Sequence, residues 1–143
     1  MIVVDASLAA KWLLWEADSQ AALQFLGRHR DEICGPDILF VEVASAIVRR
    51  GNMDKRLGED ALRALDKWTQ SWRDHAVRPY PVTPQRLFDA GKLALALGHQ
   101  IYDCLYLALA IELDGELVTC DIKFAEKAIG VWPRVRLLAD VAG

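Results

Sequence analysis

Residues 101–113, IYDCLYLALAIEL, have no polar face. Leu, Ala, Ile and Tyr fill nearly every position, so a helix built from them presents apolar surface in every direction and must be buried on every side. Its first turn nevertheless contains a carboxylate, Asp103. Unpaired N–H groups and the positive end of the helix dipole favour an acid there. Whether capping suffices as its reason depends on what the other acids of the chain do.

The remainder of the sequence alternates short apolar runs with helical patterns. MIVVD at 1–5 reads as a buried strand with Asp5 at its C-terminal end, and Ser7 is a natural N-cap for the helix LAAKWLL that follows. A second helix opens at Asp18 or Ser19 and runs to about Gly27, and EIC at 32–34 is a short strand. Gly35-Pro36-Asp37 starts a third helix that ends at Arg49-Arg50-Gly51, and a fourth runs from Gly58 to Arg73. A short extended piece around Val77 is broken by Pro79 and Pro81. Thr83-Pro84 then caps a helix closed by Gly98. After the apolar helix, Asp114-Gly115 turns the chain into the strand ELVTC, with Asp121 at its end, then a helix from Lys123 to Ile129 and a last strand, VRLL. Strands alternating with helices predict an α/β fold with a central parallel sheet of about four to five short strands, covered by helices on both faces. With no repeat, low-complexity tract or linker, residues 1–143 read as one domain.

Composition narrows the function classes. A content of 53% hydrophobic and 26% charged residues is that of a globular chain. Glu42 and Glu112 interrupt the longest apolar runs, so none reaches the roughly 18 residues of a membrane span. The acid in MIVVDASLAAKWLLWE lies inside what would be the apolar part of a signal peptide, so a cytoplasmic location is expected. Cys34, Cys104 and Cys120 are odd in number and form no C-x-x-C pair, which indicates neither a disulfide framework nor a thiolate zinc site. The net charge of -3 opposes a general nucleic-acid coating surface, yet residues 49–86 carry nine Lys/Arg against five Asp/Glu and the remainder eight against fifteen. That asymmetry is compatible with a local phosphate-binding face beside a cation-binding pocket, and equally with solvated helix surfaces.

Four acids share the oddity of Asp103. Asp5 and Asp121 terminate apolar strands, in a fold class whose ligands bind outside the carboxyl ends of the strands. Glu42, in PDILFVEVASAIV, shares a helical face with Ile38, Leu39, Ser45 and Ala46. Taken singly each acid fits a cap or an ion pair at the core's edge; taken together they point to one site. Carboxylates brought together repel unless cations intervene. Oxygen ligands with no His or Cys cluster suit Mg²⁺ or Mn²⁺, and one or two such ions activate water and hold a phosphodiester in line.

The same residues carry a family resemblance. V-D-A-S at 4–7, P-x(5)-E at 36–42, Y-D-C-x-Y-L-A-L-A at 102–110 and L-V-T-C-D at 117–121 resemble the acidic motifs of PIN-domain ribonucleases, most closely the VapC-type toxins of toxin-antitoxin pairs. The resemblance spans almost the whole chain, in order. It implies a PIN-like fold, metal-binding catalytic roles for Asp5, Glu42, Asp103 and Asp121, and supporting hydroxyls at Ser7 and Thr119. It also implies Mg²⁺- or Mn²⁺-dependent cleavage of RNA, with transfer RNA as a family-level substrate, a homodimer, and a small antitoxin as partner. Cys104 stands where the family more often has alanine, and Cys120 is a similar departure; neither removes a ligand.

Other residues are candidates for contacts rather than chemistry. Arg49, Arg50 and Lys123 are expected to guide RNA, although for Lys123 a surface residue in a helix's first turn is the simpler reading. His99 lies four residues before Asp103, but in an apparent loop and with no base required of it. Leu57, Ala61, Leu65, Trp68 and Trp72 form an apolar stripe on the fourth helix. Part of it, around Leu65, Trp68 and Trp72, is expected to form a groove with the third helix for a partner's apolar helix. Trp12 and Trp15 fit a core or a homodimer contact. The leading expectation is a metal-dependent endoribonuclease; the alternative is a catalytically silent PIN-like module acting through a partner protein and nucleic acid.

Overall fold

The computed structural model describes residues 1–141. Three consecutive β-branched or apolar residues, Ile2–Val4, form a wholly buried strand, β1, as expected of a strand covered on both faces. Helices α1 (Ala6–Leu13) and α2 (Ser19–His29) lead to β2 (Ile33–Pro36). Then α3 (Ile38–Met53), a single 3₁₀ turn (Lys55–Leu57) and α4 (Gly58–Arg73) lead to β3 (Arg78–Tyr80). Next come α5 (Pro84–Leu97), α6 (Ile101–Glu112), β4 (Glu116–Thr119), α7 (Ile122–Ala128), β5 (Val135–Leu137) and a final turn, α8 (Leu138–Val141).

The five strands form one sheet in the order β3-β2-β1-β4-β5, and every pairing is parallel. The chain winds outward from β1 through β2 to β3, then returns to lay β4 on the other side of β1. Right-handed crossovers therefore place α1 to α4 on one face and α5 to α7 on the other. Packing agrees: α1 with α2 and α3, α3 with α4, and α5 with α6. The direction of winding reverses between β1 and β4, the position at which sheets of this kind open a crevice.

Helix α6 occupies the centre, as its composition requires. It packs on β1, β2 and β4, and its residues from Cys104 to Ala110 are all buried. Among the described residues no single helix is long and apolar enough to cross a membrane.

Four local expectations are corrected. The N-cap of α1 is Asp5, whose carboxylate accepts from the Leu8 N–H at 3.2 Å, so Ser7 lies inside the helix and its hydroxyl turns elsewhere. Helix α3 continues through Arg49-Arg50-Gly51 to Met53. Gly51 does not stop it because α4 crosses close by: a Cβ there would meet the Ala61 Cβ at 2.9 Å, so the glycine makes room for helix packing. Pro79 lies within β3, which is tolerated because β3 is an edge strand where a missing N–H leaves no ladder bond unmade. Trp68 is a core residue, 2% exposed, with its indole N–H donating to the Phe40 carbonyl at 3.0 Å, and is closed to a partner. Trp12 is likewise tied inward, through the Ala22 carbonyl at 2.9 Å, while Trp15 is 73% exposed.

Candidate active site at the carboxyl ends of the strands

Asp5 follows β1 directly, and the register Val4↔Val118 sets it beside Thr119, the last residue of β4. It is 4% exposed. The Ser7 hydroxyl donates to its Oδ1 at 2.7 Å, and the Thr119 hydroxyl makes a short hydrogen bond to its Oδ2. Burial is strong enough to outweigh these donors and push the Asp5 carboxyl up to about 6, with the nearby Asp103 charge adding to the effect. The hydroxyls of Ser7 and Thr119 lie 3.3 Å apart and are also fixed from outside: Ser7 Oγ accepts from the Cys120 N–H and Thr119 Oγ1 from the Asp121 N–H, each at 3.0 Å. Both supporting residues thus contact Asp5.

Glu42 projects from α3 and is half-buried. Its Oε1 accepts a 2.5 Å hydrogen bond from the Tyr106 hydroxyl on α6. Burial raises its pKa above the usual carboxylate range, the Tyr106 bond opposes this, and the Asp103 charge reinforces it. Asp103 is held by its own helix start: His99 Nε2 lies 2.6 Å from Oδ2, and the Gln100 amide donates to the same oxygen at 3.0 Å. The imidazole is stacked on Phe124 with centroids 5.0 Å apart, and its Nδ1 is 3.4 Å from Lys127 Nζ. Asp121 caps α7, its Oδ1 accepting from the Phe124 N–H at 3.1 Å.

The four acids are therefore joined unequally. Asp5, Glu42 and Asp103 interact through their charges; Asp121 joins through Thr119 and the turn after β4. Among the described residues no group of three or more carboxylate, imidazole or thiol side chains is drawn into a closed cage. Hydroxyl, imidazole and amide donors satisfy the acids separately. The donors are nevertheless of one kind: ionisable oxygens backed by two hydroxyls, with thiols that cannot compete. Burial pushes Cys104 up to about 11 and Cys120 up to about 12, so neither offers a thiolate. This donor chemistry fits a hard divalent cation.

The sequence reading missed two contributors. Tyr106 hides in an apolar run, and its spacing of three from Asp103, which places both on one face of α6, was the available signal. His99 does lie in the loop before α6, and its spacing of four from Asp103 is the signal for the contact that forms. Among the expected RNA contacts, Arg49 and Lys123 are exposed, whereas Arg50 pairs with Glu16 at 2.9 Å.

Comparison with known proteins places this arrangement. Residues 2–130 match the family model for the PIN domain. The chain is 35% identical over 128 residues to the VapC ribonuclease Mb0985 of Mycobacterium bovis and to ribonuclease VapC9 of Mycobacterium tuberculosis, covering 88% of this chain and 90% of each of those proteins. It is 30% identical over 126 residues to ribonuclease VapC3 of Pyrobaculum aerophilum, with 88% and 93% covered. The crystal structure of PAE2754 from Pyrobaculum aerophilum superposes with a TM-score of 0.73 at 19% identity, over 99% of this chain and 85% of that one, a likeness of fold. On the family match across most of its length and on these relatives, the chain belongs to the PIN-domain family, in its VapC branch.

Proposed function

We propose that this chain is the toxin of a toxin-antitoxin pair: a metal-dependent endoribonuclease that hydrolyses RNA phosphodiester bonds. The observation that carries the reading is Asp5, a buried carboxylate at the reversal point of the sheet, within reach of the Asp103 charge. Asp5, Glu42, Asp103 and Asp121 would hold Mg²⁺ or Mn²⁺. A divalent cation bound there supplies Lewis acidity, polarising a phosphodiester and lowering the pKa of a water molecule.

The chain's own residues prepare that site. Ser7 and Thr119 fix both oxygens of Asp5, and His99 and Gln100 hold one oxygen of Asp103, leaving Oδ1 without a hydrogen bond to a described residue. Lys123, two residues after Asp121, and Arg49, seven residues after Glu42 on one helical face, are the cations placed to meet the phosphates of RNA. Arg50 is the weaker candidate because Glu16 already neutralises it.

The same reading includes a cytoplasmic location, transfer RNA or another structured RNA as substrate, a second copy of the chain as dimer partner, and a small antitoxin. For the antitoxin, Trp72 is the available part of the stripe: it stacks on Phe40 at 4.6 Å and remains 43% exposed, with Leu65 half-buried. Trp68 contributes from beneath, as packing.

The test is incubation of labelled total RNA with purified protein in Mg²⁺, Mn²⁺ or EDTA, beside Asp103→Asn. Discrete fragments that require the cation and vanish in the variant are expected. Folded, partner-free protein that leaves several RNA pools intact would instead favour the silent binding module.

A further inference from the structure

Tyr106 is 1% exposed, in the middle of the most apolar helix of the molecule. A phenylalanine would fill that volume without bringing a polar atom into the core, and a buried hydroxyl is costly unless it finds a partner. Its partner is Glu42 Oε1 at 2.5 Å, so one bond ties α6, which carries Asp103, to α3, which carries Glu42. The phenol O–H is the donor of that bond and the carboxylate its acceptor. Glu42 has the longest side chain of the four acids, and no other described residue hydrogen-bonds its carboxylate. Its Oε2 has no hydrogen bond to a described residue.

We propose that Tyr106 is a positioning residue: its hydroxyl fixes Glu42 Oε1, leaving Oε2 oriented for the divalent cation, and so sets cation affinity. The inference rests on the reading of Glu42 as a cation ligand. It goes beyond that reading by assigning a function to a residue that bears no charge and touches no substrate. Groups that hold a ligating carboxylate or imidazole in place typically account for about ten- to a hundredfold in metal affinity.

The test is calorimetric titration of Mn²⁺ into the RNA-free protein for wild type, Tyr106→Phe, Glu42→Gln and the double variant, with circular dichroism in EDTA as the check on folding. Tyr106→Phe is expected to keep its secondary structure and to bind Mn²⁺ about tenfold or more weakly. The double variant is expected to be no weaker than Glu42→Gln alone, since the hydroxyl then has no ligand to position. Wild-type affinity in Tyr106→Phe, losses that multiply in the double variant, or loss of the fold on removing the hydroxyl would each overturn the inference. If wild type itself bound no Mn²⁺, the cation-site reading would fall and take the inference with it. If wild type bound Mn²⁺ and only Glu42→Gln impaired binding, the site would stand and the inference alone would fall.

Discussion

Three donors converge on Asp5, from Thr119, Ser7 and the Leu8 N–H, yet burial still pushes its carboxyl up to about 6. An unfolded chain releases that proton near the ordinary value of 3.8. Between the two values the folded state binds more protons, so stability falls as pH rises through that window and is level above it. A shift of this size corresponds to at most about 3 kcal/mol. Asp5→Asn cannot ionise and is expected to lack this part of the pH dependence. Urea unfolding in EDTA near pH 4 and near pH 7 should show wild type losing stability relative to the variant at the higher pH. A parallel response of the two proteins would mean that Asp5 is not the group responsible. The position of Asp5 was legible because an acid ending an apolar run is rare and strand ends are where such sheets bind ligands. Its hydroxyl supports were legible only by resemblance, since nothing in D-A-S distinguishes a serine that caps a helix from one that turns back to the preceding acid. Tyr106 was not legible at all from hydrophobic pattern, which counts a tyrosine as apolar and is silent about where its hydroxyl points.

At the level of elements, pattern succeeded where a segment's own residues determine its state. The limits of α4, the Thr83 cap of α5 and the Gly98 that closes it follow from local composition and capping. It failed where a neighbour decides. Gly51 reads as a stop signal in sequence, but the stability of α3 there comes from α4 packed on it, and Pro79 reads as a breaker until β3 proves to be an edge. Gly115 shows the same dependence. It ends the turn from α6 into β4, and a Cβ there would lie 2.6 Å from the Met1 carbonyl oxygen, which also accepts the Glu116 N–H at 3.2 Å. Gly115→Ala is expected to cost about 1–3 kcal/mol by forcing β1 and β4 apart at their starts. Gly27→Ala is the matched control, since a Cβ within α2 there meets nothing within 4 Å. It should stabilise the helix, by up to about 1 kcal/mol. Thermal or urea unfolding of the two variants should therefore move in opposite directions, and equal shifts would contradict the packing account of Gly115.

Over the whole molecule, the sequence shows a basic stretch but not where its charges go. Arg50, Arg56, Arg63 and Arg86 are spent on Glu16, Asp54, Asp60 and Glu112. Lys67 and Arg78 instead join Arg30 and His75 around a groove of about 770 Å³, lined also by Asp31, at the starts of β2 and β3. That is the opposite end of the sheet from Asp5 and Asp121, so the expected phosphate-binding face does not lie beside the acids as one continuous surface. Near the acids the exposed cations are Lys127, which donates to the Gly98 carbonyl beside His99, Lys123 in the first turn of α7, and Arg49 on the Glu42 face of α3, about 10 Å along the helix axis. If RNA reaches the site by these residues, each phosphate contact contributes to the salt dependence of binding, and removing one should lower the slope of log affinity against log salt by about 0.7 for a single strand. The measurement uses Asp103→Asn to prevent cleavage, with RNA affinity followed across a range of KCl concentrations. Arg49→Ala and Lys123→Ala are expected to reduce the slope, while Lys67→Ala, in the distant groove, leaves it unchanged. The reverse pattern would move the RNA to the basic groove. The bound strand would then have to run from one end of the sheet to the other, around an edge of the molecule, before its backbone reached the acids.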